Sequence, residues 1–161
     1  ECFIRELFKE LHLTFIQTLK RNGKDRVSIN LKWDWPYNEL AIYTDPFRLK
    51  QILVNLLSNA VKFTDEGEIL LGIEEHPEGI YFYVKDSGIG IREEKQKLIF
   101  DRFMQGHENK TKLYGGTGLG LAISRRIVEA HGGTIEVESQ MGKGTRMTIQ
   151  LPRAIEKPID E

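Results

Sequence analysis

The sequence predicts one α/β domain in which helices and strands alternate along the chain. Several segments place apolar residues at helical spacing, and several shorter segments alternate apolar and polar residues as strands do. The length of 161 residues suits one domain with a sizeable core, and the 40% hydrophobic content is typical of a folded globule. The sequence contains no repeat, low-complexity tract or long linker that would divide this domain.

Charge and cysteine content argue against several classes of function. Lys and Arg total 23 against 24 Asp and Glu, a net charge of -1, so we expect neither a nucleic-acid surface nor a polybasic membrane patch. The single cysteine, Cys2, excludes an internal disulfide and fits a reducing compartment. No apolar run approaches the length of a membrane span, and the amphipathic start differs from a signal peptide. We therefore expect no direct membrane contact by this chain.

The first elements are a helix, two strands and a second, longer helix. Residues 3–19 carry apolar side chains at helical spacing, and the segment "RNGKDR" then ends the helix. "VSINLKW" alternates as a strand, and "LAIYT" predicts a second, shorter one. Asp45 followed by Pro46 is typical of a helix N-cap with proline at the first helical position, so a helix is predicted to about residue 63.

The remaining elements form two hairpins separated by helices. "EILLGIEE" and "IYFYVKD" predict strands around a turn at "HPEG", followed by a short helix near "REEKQKLIFDRF". A polar stretch leads into a glycine-rich segment and a helix that ends near His131. "GGTIEVES" and "GTRMTIQLP" predict the closing hairpin. We expect the domain to span residues 1–152, with residues 153–161 forming a frayed tail or the start of a linker.

The glycine-rich segment "YGGTGLGLAIS" raises the first question about function. It places four glycines within six positions, immediately before a helix-compatible apolar run. Glycines at a helix N-terminus let phosphate oxygens approach unpaired backbone N–H groups and the positive end of the helix dipole. A flexible hinge or plain loop explains the same glycines, so this segment alone leaves both interpretations open.

The long helix carries a polar stripe that is unusual for a solvated face. On a helical wheel, Asn55, Asn59 and Lys62 follow one another at i, i+4 and i+7. Asparagine is a poor helix former, so two asparagines one turn apart suggest a demand for amide groups. An amide oxygen can bind Mg²⁺, and the lysine can neutralise phosphate. The wheel predicts a broad apolar face formed by Leu49, Ile52, Leu53, Leu56, Ala60 and Phe63, and a smaller patch on the far side formed by Val54 and Val61.

A carboxylate lies on the core side of the second predicted hairpin strand. Ile80, Phe82 and Val84 share one face of this strand, and Asp86 is the next residue on that face. A carboxylate in the core costs several kcal/mol unless it is hydrogen-bonded. Asp86 is therefore either satisfied by backbone amides in an Asx-type turn or directed at a ligand such as the exocyclic amine of adenine.

Two further features accompany Asp86. Gly88 and Gly90 would let a flat base lie against the backbone, while Thr145 alternates onto the core face of the last strand. The Thr145 hydroxyl could supply a hydrogen-bond donor to the same base or be satisfied locally. The sequence contains no zinc-binding cluster and no P-loop pattern.

Taken in order, five segments resemble the N, G1, F, G2 and final glycine boxes of the catalytic ATP-binding domain of sensor histidine kinases. They are "QILVNLLSNAVKFT", "DSGIGI", "IFDRFMQG", "YGGTGLGLAIS" and "GKGTRMTIQLP". This domain belongs to the superfamily that includes gyrase, heat-shock chaperone and mismatch-repair ATPases. The resemblance implies an α/β (α+β) two-layer sandwich, the Bergerat ATP-binding fold, with a mixed sheet of about five strands and three main helices on one face.

The resemblance also implies which residues bind the cofactors ATP and Mg²⁺. Asn59 would coordinate the metal, and Asn55 and Lys62 would take part in catalysis beside the phosphates. Asp86 would accept the adenine amine, and Thr145 would join through a hydrogen bond or a water. The implied nucleotide-binding residues are Asn55, Asn59, Lys62, Asp86, Gly88, Gly90, Ile91, Phe103, Lys112, Tyr114, Gly116, Thr117, Gly118, Leu119, Gly120 and Thr145.

The implied function is transfer of the γ-phosphoryl group of ATP to a histidine on a separate dimerisation domain, which then passes it to a response regulator receiver domain. The phosphoacceptor histidine with its acidic neighbour, which the family carries on a preceding helical hairpin, is absent, since none of the four histidines, His12, His76, His107 and His131, has that context. Phe100 and Phe103 would hinge a lid over residues 104–115. Many family members carry an arginine where this chain has Gln105, so the positive charge of the lid would come from Lys110 or Lys112. The expected location is the cytoplasmic part of a membrane-anchored bacterial sensor kinase.

A relative that hydrolyses ATP or phosphorylates serine is the competing hypothesis, and Asn55 discriminates between the two. Relatives that activate water or a hydroxyl resemble one another in carrying a glutamate base at this position. Asparagine cannot take up a proton near neutral pH, whereas a neutral imidazole already has a lone pair available. Asn55 therefore favours transfer to histidine and predicts slow hydrolysis. A non-catalytic nucleotide-sensing module is the third hypothesis.

Overall fold

The computed structural model describes residues 2–33, 41–42, 44–101 and 119–152. The helices are α1 (Ile4–Arg21), α2 (Pro46–Phe63), α3 (Glu93–Gln96) and α4 (Leu119–Ala130). The strands are β1 (Cys2–Phe3), β2 (Val27–Trp33), β3 (Ala41–Ile42), β4 (Gly67–His76), β5 (Gly79–Asp86), β6 (Thr134–Gln140) and β7 (Gly144–Leu151).

Five of these strands form a mixed sheet in the order β2-β4-β5-β7-β6. β2 pairs with β4 in parallel, and the other three pairs are antiparallel. Both predicted hairpins, β4–β5 and β6–β7, are present with the expected turns between them. The mixed five-stranded sheet predicted from the family resemblance is therefore confirmed.

The segment "LAIYT" lies apart from this main sheet. Its described residues, Ala41 and Ile42, pair in antiparallel fashion with Phe3 and Cys2 at the start of the chain. The sequence predicted a strand here but not its partner, because a two-residue strand contains too little pattern to show where it pairs.

The core lies between the sheet and the apolar faces of α1, α2 and α4. The sheet contributes residues that alternate along its strands, so that a single face is buried against the helices. These residues include Ile29 of β2, Ile69, Leu71 and Ile73 of β4, Ile80, Phe82 and Val84 of β5, and Met147, Ile149 and Leu151 of β7. Among the described residues, no helix is long and apolar enough to cross a lipid bilayer.

Helix α2 begins as the sequence predicted. The Asp45 carboxylate accepts hydrogen bonds from the backbone N–H groups of Phe47 at 3.0 Å and Arg48 at 3.3 Å, and Pro46 occupies the first turn. The prediction that Val61 belongs to a separate patch on the far side was wrong. Val61 is only 3% exposed and joins the main core, as does Leu57, because α2 contacts α1 and α4 as well as the sheet.

Candidate functional site

Asp86 ends β5 with its carboxylate on the buried face of the sheet. The residue is 8% exposed, and Oδ1 accepts a hydrogen bond of 2.9 Å from the backbone N–H of Gly88. Burial raises the pKa of this carboxyl, and backbone N–H groups of Gly88 and Thr145 partly offset that effect. The predicted Asx-type turn is therefore present, and the carboxylate still lies on the core face at the edge of the sheet.

Thr145 lies directly across from Asp86 on the neighbouring strand β7 and is equally buried. Its hydroxyl lies 2.8 Å from the hydroxyl of Ser139, which is in turn the cross-strand neighbour of Thr145 on β6. Ser139 also accepts the backbone N–H of Ile91 at 2.7 Å and donates to the carbonyl oxygen of Gly144 at 3.0 Å. Thr145 thus has a local hydrogen-bond partner, which is one of the two arrangements that the sequence left open, and its contribution to a bound base stays a prediction.

The glycines after Asp86 are required by close backbone contacts within the protein. A Cβ on Gly88 would lie 2.2 Å from the carbonyl oxygen of Phe63 at the end of α2. Gly90 has a φ of +78°, and a Cβ there would lie 2.2 Å from the carbonyl oxygen of Gln140. These contacts supply a reason for both glycines that the sequence did not show. Their role as a wall for a flat base stays a prediction.

Hydrogen bonds join the segment after Asp86 to two other elements. The backbone N–H of Ile89 donates to the carbonyl oxygen of Phe63 at 3.1 Å, which ties this segment to the end of α2. The side-chain amide of Gln96 in α3 donates to the carbonyl oxygens of Ile91 and Ser139, each at 2.9 Å. The site therefore forms where α2, the end of β5 and the last hairpin meet.

The polar stripe of α2 faces a different environment at each position. The Asn55 side-chain amide donates to the hydroxyl of Ser124 in α4 at 3.1 Å, so it joins the two helices that flank the site. Asn59 is half-buried, and Lys62 is exposed. Asn55 is half-buried like Asn59, so the stripe becomes exposed only at Lys62, near the C-terminal end of α2.

The C-terminal end of α2 is held by a lysine from another part of the chain. The Lys24 ammonium binds the carbonyl oxygens of Val61 and Thr64 and lies 3.3 Å from the Asp65 carboxylate. A cation at the end of a helix satisfies unpaired carbonyl groups and interacts favourably with the dipole. Lys24 thereby fixes the part of α2 that carries Asn59 and Lys62.

The glycine-rich segment is only partly within the described residues. Phe103, Lys112, Tyr114, Gly116, Thr117 and Gly118 lie outside them, as do Gln105, Lys110, His107 and the predicted lid. Leu119 and Gly120 open α4, so a helix does begin at the end of this segment as predicted. Before the lid, Phe100 lies beside α4, with the Arg125 guanidinium 5.9 Å from its ring centroid.

Within the described part of the chain, no group of three or more His, Cys, Asp or Glu residues is arranged to hold a metal ion. Asn59 is the predicted ligand, and its neutral amide oxygen is of the hard type that Mg²⁺ accepts. The half-buried position of Asn59 on α2 fits a ligand that works together with phosphate oxygens.

Sequence reasoning missed Ser139, Gln96, Ser124 and Lys24. A signal for Ser139 was present, because Ile135, Val137 and Ser139 alternate onto one face of β6 and so place the serine on the core side. The contacts of Gln96 and Lys24 join residues 43 and 37 positions apart, which no local pattern indicates.

The fold has the architecture of histidine kinase catalytic domains. The structure titled "Catalytic domain of histidine kinase ThkA" matches with a TM-score of 0.77 and 29% identity, covering 95% of this chain and 97% of that one. The structure titled "Crystal structure of ShkA full-length in complex with AMPPNP" matches with a TM-score of 0.79 and 32% identity, covering 94% of this chain and 30% of that one.

The chain belongs to the histidine kinase-, DNA gyrase B- and HSP90-like ATPase family, whose model matches residues 44–155. It is 39% identical over 151 residues to the circadian input-output histidine kinase CikA of Synechococcus elongatus, covering 92% of this chain and 20% of that protein. It is 37% identical over 158 residues to the sensor histidine kinase WalK of Bacillus subtilis, covering 96% of this chain and 23% of that protein. The chain thus spans about a fifth of the length of these relatives.

Proposed function

We propose that this chain binds ATP with Mg²⁺ and transfers the γ-phosphoryl group to a histidine on a separate dimerisation domain, as one step of two-component signalling. The observation that carries the proposal is the buried carboxylate of Asp86, which lies on the inner face of the sheet where α2 and the last hairpin meet. The names of the relatives, which are sensor histidine kinases, support the same activity.

The base would bind at the end of β5. The ionised carboxylate of Asp86 is an acceptor for the exocyclic amine of adenine, and its burial beside Thr145 strengthens that hydrogen bond. Gly88, Gly90 and Ile91 form the adjoining backbone segment, which Ser139 and Gln96 hold in place. This rigidity favours recognition, because a base binds with less loss of conformational entropy when its partners are already ordered.

The phosphates would lie along the polar stripe of α2 and at the start of α4. Bound Mg²⁺ would neutralise charge on the phosphate oxygens. Asn59 would direct its amide oxygen at the metal, and Lys62 would place its ammonium near the transferred group. Leu119 and Gly120 lie in the first turn of α4, where backbone N–H groups bind anions, and Gly116, Thr117 and Gly118 would continue this cradle. Phe103, Lys112 and Tyr114 would contact the nucleotide from the lid.

Asn55 favours transfer to histidine over hydrolysis or transfer to serine. Its amide is engaged with Ser124 of α4, and an amide cannot take a proton from water or a hydroxyl near neutral pH. Positioning and charge neutralisation remain available, and these are the main contributions to phosphoryl transfer. A neutral imidazole needs no base of this kind.

The proposed partners follow from the proposed activity. They are the histidine-bearing dimerisation domain of the same protein and, downstream, the receiver domain of a response regulator. We place the chain in the cytoplasm as a domain of a membrane-anchored bacterial sensor kinase.

Calorimetric titration with ATP tests the binding step. The unaltered chain should bind ATP more tightly with Mg²⁺ than without it, and Asn59→Ala should lose that difference. Asn30→Ala is the matched control, because Asn30 is an exposed asparagine on β2 at the other edge of the sheet. An Asn59→Ala variant with the full Mg²⁺ effect would refute the metal assignment, and an unaltered chain that fails to bind ATP would refute the proposed function.

A further inference from the structure

We propose that Ser139 is a positioning residue for base recognition, which makes Thr145 a hydrogen-bond acceptor toward the nucleotide. By engaging the only hydroxyl hydrogen of Thr145, Ser139 would make the site prefer a base that carries an exocyclic amine over one that lacks it. This inference deepens the proposed function and rests on it.

Counting hydrogens on Ser139 fixes the direction of each hydrogen bond. Its Oγ lies 2.7 Å from the backbone nitrogen of Ile91, which can only donate, and 3.0 Å from the carbonyl oxygen of Gly144, which can only accept. A serine hydroxyl has one hydrogen, and the Gly144 carbonyl takes it. With that hydrogen donated to Gly144, the contact of 2.8 Å to Thr145 Oγ1 is one in which Thr145 donates, and this assignment satisfies all three contacts of Ser139.

Thr145 and Asp86 consequently present oxygen lone pairs side by side. The two residues are cross-strand partners on the inner face of the sheet, and each is 8% exposed. The hydrogen of the Thr145 hydroxyl points to Ser139 on the other side, so neither side chain offers a hydrogen toward the base. The exocyclic amine of adenine supplies N–H donors to this pair of acceptors, whereas a base that lacks this amine would leave the Thr145 oxygen without a hydrogen from the base.

Ser139 is itself held in one position by the surrounding backbone. The Gln96 side-chain amide donates to the carbonyl oxygens of both Ser139 and Ile91, and Ser139 lies opposite Thr145 in the β6–β7 pairing. Reorienting the Ser139 hydroxyl would break its bond to Gly144 or to Ile91. The direction of the Thr145 hydrogen is therefore imposed by the fold rather than chosen when a nucleotide binds.

The test compares affinities for ATP and purine riboside triphosphate, which lacks the exocyclic amine and keeps N1 as an acceptor, as in ATP. In Ser139→Ala the Thr145 hydrogen is no longer held away from the base, so Thr145 need not act as an acceptor and the preference for ATP should fall by about fivefold, the value of one hydrogen bond. Ser139→Thr retains a hydroxyl and should restore the preference. Ser28→Ala, a matched change on the opposite edge strand β2, should leave the preference unchanged.

Combining Ser139→Ala with Thr145→Val shows whether Ser139 acts through Thr145. Thr145→Val removes the hydroxyl that Ser139 orients, so adding Ser139→Ala to it should change the ATP preference no further. Urea unfolding of each variant checks that the domain remains folded. Ser139→Thr is a less disruptive substitution, because it keeps the hydroxyl.

Two results would overturn the inference while leaving the proposed function standing. One is a folded Ser139→Ala variant with an unchanged ratio of ATP to purine riboside triphosphate affinity. The other is an equal effect of Ser139→Ala with and without the Thr145 hydroxyl. Failure of the unaltered chain to bind ATP at all is a distinct result, which would overturn the proposed function and this inference together.

Discussion

At Asp86, the role that we propose in base recognition and the requirements of stability oppose each other. Burial raises the pKa of its carboxyl in the folded protein above that in the unfolded chain. The folded state therefore binds this proton more tightly, and the contribution of Asp86 to stability falls as pH rises through the raised pKa. At neutral pH the ionised carboxylate costs stability, while providing the acceptor that the proposed base site needs.

Replacing Asp86 by asparagine should separate these two effects. Asp86→Asn should weaken ATP binding at least tenfold, because hydrogen bonds to charged groups contribute about 1.5–3 kcal/mol. The free energy of unfolding of the unaltered protein relative to the variant should increase as pH is lowered through the raised pKa. Calorimetry measures the first effect, and urea unfolding at a series of pH values measures the second. A relative stability that decreases on acidification would mean that the pKa is lowered instead.

Sequence patterns predicted the position of Asp86 on the core face, but they did not predict the contacts of Ser139. The period of two along β5 placed the Asp86 carboxylate on the core face, where the structure has it. The role of Ser139 depends on its register against Thr145 and on a contact with Ile91, which is 48 positions away. Alternation shows which face a residue occupies, but not which distant residue it meets.

At the scale of elements, a turn residue is constrained by the space available to its Cβ as well as by its backbone conformation. Gly90 and Gly142 have nearly equal φ angles of +78° and +79°, in a region that L-residues with a side chain rarely adopt. A Cβ on Gly142 would meet nothing within 4 Å, whereas one on Gly90 would lie 2.2 Å from the Gln140 carbonyl oxygen. A comparison of Gly90 with Gly142 therefore distinguishes the cost of backbone strain from the cost of steric overlap.

Alanine at these two positions should have different effects. Gly142→Ala should lower the free energy of unfolding by about 1–2 kcal/mol, the cost of the left-handed conformation. Gly90→Ala should cost about 1–3 kcal/mol more, because the backbone of the last hairpin must move. Urea unfolding of both variants measures the difference. Equal losses would show that the approach of Gly90 to Gln140 is looser than the structure indicates.

The element boundaries follow largely from local chemistry. Asp45 and Pro46 predicted the start of α2, and alternation predicted both hairpins. The errors arose where tertiary contacts decide the outcome. Val61 is buried because α2 packs against two helices, and the partner of the short strand β3 is the start of the chain.

For the whole molecule, the order of motifs indicated the family before any geometry was known. The structure adds how distant segments meet: the end of α2 binds the segment after Asp86, which in turn binds the last hairpin. The parallel pairing of β2 with β4 across α2 could not be read from the strands themselves, because alternation does not specify a partner. The family resemblance supplied a mixed sheet of about five strands, but not this pairing.

The most direct test mixes this chain with the histidine-bearing dimerisation domain proposed as its partner, Mg²⁺ and γ-labelled ATP, and follows both protein label and free phosphate. We expect acid-labile, base-stable label on the dimerisation domain and little free phosphate, because Asn55 offers no base for water. Rapid phosphate release without labelled protein would contradict it and would identify an ATP-hydrolysing relative.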